Sequence, residues 1–274
     1  MKKIPLIPNA ITAFGLTCGL FVIFKVNMVD PGEGTFQGLM ATVGLLGLAA
    51  VADVLDGAIA RAMGAVSEFG AIFDSLSDGI AFGVAPSVIV LKTLSMQPGT
   101  ELSFMVTMCA MVFSLCGVLR LVRYSVTSPG DDSLELASKQ NFTGLPIPAG
   151  AAAVVSANLF LLSPELHRFF EPSQTVSAII LSATMVVLGY FMISRWRFPS
   201  LKALHIRVAS FQLVVLVGVT GVATFYGVLY HFPVVFIIAA WGYVLVGWML
   251  SLARIIAGRR THRLADFEPS SSED

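Results

Sequence analysis

Residues 53–78 read DVLDGAIARAMGAVSEFGAIFDSLSD. Four carboxylates, Asp53, Asp56, Asp74 and Asp78, stand there in sequence that is otherwise apolar enough to lie in hydrocarbon. An ionised carboxylate near a membrane centre costs on the order of 2.5–3.5 kcal/mol on insertion scales, so four unpaired ones would cost ~10 kcal/mol or more. Some positive charge has to neutralise them.

The rest of the chain supplies the hydrocarbon context. Of 274 residues, 56% are hydrophobic and 12% charged, and the mean hydropathy is +0.82. Ordinary soluble domains carry about 25% charged residues, so a water-soluble globule is excluded. Seventeen basic residues balance seventeen acidic ones, which removes any global attraction to nucleic acid. Apolar windows long enough to cross about 30 Å of hydrocarbon predict eight helices, near 7–27, 36–61, 70–93, 101–121, 146–163, 175–194, 208–230 and 232–254. The expected fold class is therefore all-α, a polytopic transmembrane helix bundle of about eight spans. With the N-terminus inside, the inner side receives Lys2, Lys3, Arg61, Arg120, Arg123, Lys139, Arg195, Arg197, Lys202, Arg207, Arg254, Arg259, Arg260 and Arg263, and the outer side Lys25, Lys92 and Arg168. That asymmetry predicts both termini and the acidic segment on the cytoplasmic side. The start, Met1-Lys2-Lys3 with Pro5, Pro8 and Asn9, reads as a retained first span rather than a cleaved signal. Cys18, Cys109 and Cys116 read as small packing residues, and Gly15/Gly19 and Gly79/Gly83 are spaced for close helix contact.

The spacing of the acids gives them a geometry. Asp53 and Asp56 are three residues apart and Asp74 and Asp78 four apart, so each pair shares one helix face. A hairpin turn around 63–67 would set Asp53 level with Asp78 and Asp56 level with Asp74. Only Arg61 is near in sequence, and one guanidinium cannot balance four carboxylates. All-oxygen donors select hard divalent ions, Mg²⁺ or Mn²⁺, and four of them suit a two-metal clamp on a phosphoryl group. Gly57, Ala60 and Gly70 leave bare faces beside the acids. Pairing with arginines of other helices, or a proton relay in an ion-coupled transporter, would also account for intramembrane acids.

Written as a pattern, the stretch is Asp-x₂-Asp-Gly-x₂-Ala-Arg-x₈-Gly-x₃-Asp-x₃-Asp, which matches the signature of the CDP-alcohol phosphotransferase family at every fixed position. Eight fixed residues at about one-in-twenty usage make a chance match on the order of 10⁻⁸. Flanking stretches resemble the branch of that family that makes phosphatidylserine: Ile7-Pro8-Asn9-Ala10-Ile11-Thr12, Ser77 to Pro86, Leu119 to Tyr124, and Phe142-Thr143-Gly144-Leu145-Pro146-Ile147-Pro148-Ala149. The resemblance covers about residues 5–200. It divides the chain into a six-helix core, 1–200, two additional transmembrane helices, 201–263, and a disordered cytoplasmic tail, 264–274.

The resemblance implies a reaction in which CDP-diacylglycerol and L-serine give phosphatidylserine and CMP. It implies Asp53, Asp56, Asp74 and Asp78 as ligands of two divalent cations per protomer, Mg²⁺ or Mn²⁺, with Asp78 also the general base. Pro8, Asn9, Thr12, Gly57, Ala60, Arg61 and Gly70 would line the CDP site. A homodimer in a bacterial inner membrane, surrounded by membrane lipids, is expected by the same analogy. Acceptors such as glycerol 3-phosphate, inositol phosphate or choline remain open.

Arg120 and Arg123 close the fourth predicted helix, where snorkelling anchors are common. The alternative is a guanidinium for the serine carboxylate, completed by Asn141 and Thr143. Arg195, Arg197, Lys202 and Arg207 read as a topology determinant, with anionic headgroup binding as the other reading. His167, His205, His231 and His262 are assigned no chemistry. The loop 124–145 could carry a short amphipathic helix, and the aromatic residues of the last two helices read as lipid-facing packing or interface belts.

Overall fold

A computed structural model of the protein describes residues 6–29, 35–64, 67–94, 96, 99–126, 141–194, 197–199 and 224–265. Helix α1 spans Leu6–Asn27 and α2 Phe36–Ala62. A third membrane crossing runs without a break from α3, Glu68–Asp78, through a π-helical stretch, Gly79–Val84, into α4, Ala85–Thr93. Then come α5, Glu101–Val126, α6, Ile147–Leu161, the single turn α7, Pro164–His167, α8, Gln174–Ile193, and α9, Phe232–Ala265. Two three-residue strands, β1, Asn141–Thr143, and β2, Arg197–Pro199, pair antiparallel with Phe142 opposite Phe198.

The all-α class and the integral-membrane character hold, and the described residues account for six of the eight expected spans by length and hydropathy. α6 has 15 residues, about 22 Å of rise, and is nearly all buried, so its neighbours rather than lipid enclose it. Of the predicted span 208–230 only 224–230 is described, and it is helical. The amphipathic helix expected in the loop 124–145 falls largely on 127–140, and the expected disordered tail largely on 266–274, both outside the described residues. α5 and α9 run past their predicted ends because hydropathy stops at the membrane edge, whereas the arginine-rich sequence beyond remains helix-forming.

Small side chains decide how closely the helices meet. In α1 the buried positions Thr12, Gly15, Cys18, Gly19 and Val22 repeat at helical spacing and face the α2 stripe Leu46, Ala49, Ala52 and Asp56. A Cβ on Gly15 would sit 3.3 Å from that of Ala52, and one on Gly19 would sit 2.8 Å from that of Ala81 in the π stretch. The Gly15/Gly19 spacing therefore serves packing inside one protomer. Gly83 and Gly117 bring the third crossing against α5, where the Ser114 hydroxyl donates to the Gly83 carbonyl at 2.9 Å. That bond satisfies a carbonyl of the π stretch, and the Ser114 and Ser87 hydroxyls also lie 2.8 Å apart.

On the outward faces, Leu48, Val51, Val54, Met111, Leu115 and Val122 are exposed, as suits helices solvated by lipid. The last helix departs from the expectation of a lipid-facing aromatic belt. Trp241 Nε1 donates to the Ala153 carbonyl of α6 at 3.2 Å, and Trp241 and Tyr243 pack against the core. A buried indole N–H needs an acceptor, which α6 provides and lipid cannot.

Gly19→Ala should destabilise the fold by about 1–3 kcal/mol, the usual cost of overpacking. Gly44→Ala, whose Cβ meets nothing within 4 Å, should be near neutral. Thermal unfolding of the two variants in detergent checks the contrast.

Candidate functional site

The hairpin that carries the acids is closed by local chemistry. α2 stops where Gly64 takes φ +60°, with its N–H on the Arg61 carbonyl at 3.2 Å. α3 starts at Ser67, whose hydroxyl accepts from the Gly70 N–H at 3.0 Å. The acids of the two helices then meet across one cleft, which Thr12 of α1 also lines.

Carboxylate oxygens of Asp53, Asp56 and Asp74 lie within 4.8 Å of one another. Asp78 lines the same cleft, so all four acids meet. They line one cleft, together with Thr12 of α1 and Ser77. Asp56 is the most enclosed, 4% exposed, and accepts a hydrogen bond from Thr12 Oγ1. The same hydroxyl reaches back to the Pro8 carbonyl, at 3.1 Å, so α1 is tied to the cluster through one side chain.

Like charges at this separation repel by about 3.5 kcal/mol per pair at an effective dielectric constant of ~20. Among the described residues, none of the four acids forms an ion pair. Arg61 is the nearest base in sequence; its guanidinium lies over Gly57, where a Cβ would meet Nη1 at 3.2 Å, and it acts on Asp56 only through its field. The donor set is all oxygen, anionic and convergent, which is the chemistry of a hard divalent cation such as Mg²⁺ or Mn²⁺. The residues present fit such ions.

Around the acids, the structure assembles most of the candidate nucleotide residues. Asn9 Oδ1 lies 3.2 Å from where a Cβ on Gly70 would stand, and Asn9 Nδ2 is buried without a hydrogen-bond partner. An orphaned buried donor costs about 1–3 kcal/mol until a ligand accepts from it. Pro8 and Thr12 are buried on the same face of α1, and Gly57, Ala60 and Arg61 follow along α2. Arg120 stands on the turn of α5 whose Val118 and Leu121 side chains lie 3.9 and 3.6 Å from where a Cβ on Gly79, next to Asp78, would stand.

The other acceptor candidates are placed differently. Arg123 Nη1 donates to the Ile193 carbonyl at 2.9 Å, at the C-terminal end of α8. A cation there meets carbonyls that the helix leaves unsatisfied. Asn141 and Thr143 belong to β1, and their side chains lie outside the described residues. Gly144 follows at φ +86°, and a Cβ there would fall 2.4 Å from the Met192 carbonyl, while Leu145 N–H donates to the Phe191 carbonyl at 3.0 Å. This entrance loop is thus strapped to the same end of α8 that Arg123 holds. Ser77 and the π stretch were missed from sequence; Ser77 stands one turn after Asp74, a spacing that could have revealed it.

The family model for CDP-alcohol phosphatidyltransferase matches residues 5–191. A CDP-diacylglycerol–serine O-phosphatidyltransferase of Helicobacter pylori (strain ATCC 700392 / 26695) is 33% identical over 211 residues, 77% of this chain and 79% of its own. Proteins of the same name are 31% identical in Methanocaldococcus jannaschii, over 64% of this chain and 71% of theirs, and 29% identical in Bacillus subtilis, over 72% and 91%.

Divalent cation should stabilise the folded protein through the acid cluster. Mn²⁺ should raise the thermal midpoint of the detergent-solubilised protein and a chelator should reverse the rise, whereas the Asp53→Asn/Asp74→Asn double variant should not respond. At a hundredfold excess of ion over its dissociation constant the stabilisation is about 2.7 kcal/mol.

Proposed function

The chain belongs to the CDP-alcohol phosphatidyltransferase family, and we propose that it transfers the phosphatidyl group of CDP-diacylglycerol to the hydroxyl of L-serine, giving phosphatidylserine and CMP. The convergence of four carboxylates in one cleft carries the reading, because a diphosphate needs concentrated positive charge that the described side chains do not provide. Relatives named for transfer to serine support the acceptor.

Asp53, Asp56, Asp74 and Asp78 would hold two divalent cations, which when bound supply the charge neutralisation that a phosphoryl displacement requires. The remaining steps fall to the chain's own groups. Thr12 fixes Asp56 by hydrogen bonding and thereby keeps one carboxylate aimed into the cleft. Asn9 Nδ2, buried and without a partner, donates to the nucleotide, and Pro8, Gly57, Ala60 and Gly70 leave a face bare enough for its approach. Arg61 contacts phosphate.

Arg120 receives the serine carboxylate beside Asp78. Asp78 accepts the proton of the serine hydroxyl as that oxygen attacks the phosphorus that bears diacylglycerol. The bond from this phosphorus to the CMP oxygen breaks, CMP departs, and the new ester is phosphatidylserine. Arg123, bonded to the Ile193 carbonyl, supports the entrance loop on which Asn141 and Thr143 stand.

Residues 1–200 form the catalytic core in this reading, 201–263 an extension and 264–274 a tail. The excess of basic residues on one side supports a cytoplasmic position for the acid cluster and both termini. The protein works as a homodimer in a bacterial inner membrane.

CMP release by the purified protein from CDP-diacylglycerol, with serine, glycerol 3-phosphate, inositol phosphate and choline offered separately, tests the proposal. Release should require serine, and Asp78→Asn should slow it by about 10²–10⁴, the range of a general base. Release with another acceptor instead would overturn the assignment of serine, and no release with any would overturn the transferase reading.

A further inference from the structure

Besides its four carboxylates, the acid cleft is lined by two hydroxyls, those of Thr12 and Ser77. The Thr12 hydroxyl is engaged, since it bonds Asp56 and lies 3.1 Å from the Pro8 carbonyl. The Ser77 hydroxyl is not. Ser77 is 6% exposed, and among the described residues no group hydrogen-bonds its side chain.

Two ordinary partners are within a turn of it, and it takes neither. Hydroxyls elsewhere in these helices turn back onto their own backbone: Ser75 donates to the Ala71 carbonyl at 3.0 Å, Thr42 to Gly38 at 2.9 Å and Thr107 to Ser103 at 2.8 Å. That bond is open to any serine in a helix. A hydroxyl that reaches a carboxylate donates to it, as Thr12 does to Asp56. Ser77 stands one turn after Asp74 and next to Asp78, in the wall of the same cleft, yet bonds neither acid. Its hydroxyl is therefore left for the part of the cleft that the acids do not fill.

The other walls there have nothing polar to offer. One turn further from the hairpin turn than Thr12, Asp53 and Asp78, the cleft is lined by Gly15, Ala49, Ala81 and Phe82. Ser77 thus marks the point where the carboxylates end and the apolar walls begin.

We propose that the Ser77 hydroxyl is a fifth polar group of the cation site, hydrogen-bonding a ligand of the cations that the chain itself does not supply, a water or a phosphate group. The proposal rests on the reading of the four acids as holders of two divalent cations. Mg²⁺ and Mn²⁺ sites of this kind keep several waters, and those waters need hydrogen-bond partners of their own where bulk solvent is excluded. Charge explains why the partner is a hydroxyl. Four carboxylates balance two divalent ions, so a fifth would leave the site anionic and oppose a diphosphate. A serine adds a partner without charge, and it can accept from a water or donate to a phosphate.

The test titrates full-length protein in lipid nanodiscs with Mn²⁺, following the free-ion signal by electron paramagnetic resonance, and then with CDP at saturating Mn²⁺. Ser77→Ala should weaken binding about tenfold or more in one of the two titrations. A loss in the Mn²⁺ titration identifies the ligand as water, and a loss confined to CDP identifies it as phosphate. Ser75→Ala, which removes a hydroxyl already bonded to its own helix, should leave both affinities unchanged. Without metal, the thermal midpoint of Ser77→Ala should equal or exceed that of wild type, because a buried hydroxyl with no partner is removed and no bond is lost.

Equal Mn²⁺ and CDP affinities in Ser77→Ala and wild type would overturn the proposal alone. So would a loss that Ser75→Ala shares, or one accompanied by a lower metal-free midpoint, since either would assign Ser77 to packing. A wild type that binds no Mn²⁺ would overturn the cation reading and this proposal with it.

Discussion

Four carboxylates held together inside a lipid-solvated bundle impose the constraint from which the rest of the structure follows. Mutual repulsion and desolvation both oppose the arrangement, so it persists only if packing forces the helices together and positive charge enters the cleft. The packing is visible in the small residues. Gly15 and Gly19 let α1 lie against Ala52 and Ala81, one on each side of the acidic hairpin, and Thr12 extends the same face to bond Asp56. With bulkier residues there, α1 would stand off and Asp56 would lose its donor.

The π-helical stretch that follows Asp78 has a place in the same logic. A widened turn shifts the register of everything beyond it, so the acids of α3 can face α2 while Gly83 and Ala85 still face α5 and α6. The Ser114 hydroxyl takes up a carbonyl of this stretch, which in hydrocarbon could not be left to water. Function and fold are thus joined at one point of the third crossing.

Much of this was legible in the sequence, for identifiable reasons. Hydropathy reports helices because the bilayer leaves the backbone few alternatives, and the three- and four-residue spacings of Asp53/Asp56 and Asp74/Asp78 report a face because the helix period is fixed. The cluster is therefore legible in the sequence. The π stretch was not, since Gly79 to Val84 is compatible with an ordinary helix and the register shift arises from packing on α5. Arg123 pointed to an acceptor pocket by type and position, yet the end of α8, about 70 residues later in sequence, supplies its partner. Trp241 and Tyr243 looked like lipid-facing aromatics because their window is apolar throughout; only the tertiary contact with Ala153 shows which side of the helix is enclosed. Hydropathy marks α6 as apolar without showing that protein rather than lipid surrounds it.

The central claim is that these four acids converge on divalent cations. Anomalous diffraction from crystals of the protein grown with Mn²⁺ and CDP-diacylglycerol tests it most directly. The account predicts anomalous peaks in the hairpin cleft, about 2.0–2.2 Å from oxygens of Asp53, Asp56, Asp74 and Asp78. A cleft without peaks, its carboxylates paired instead with arginine or lysine side chains, would contradict it.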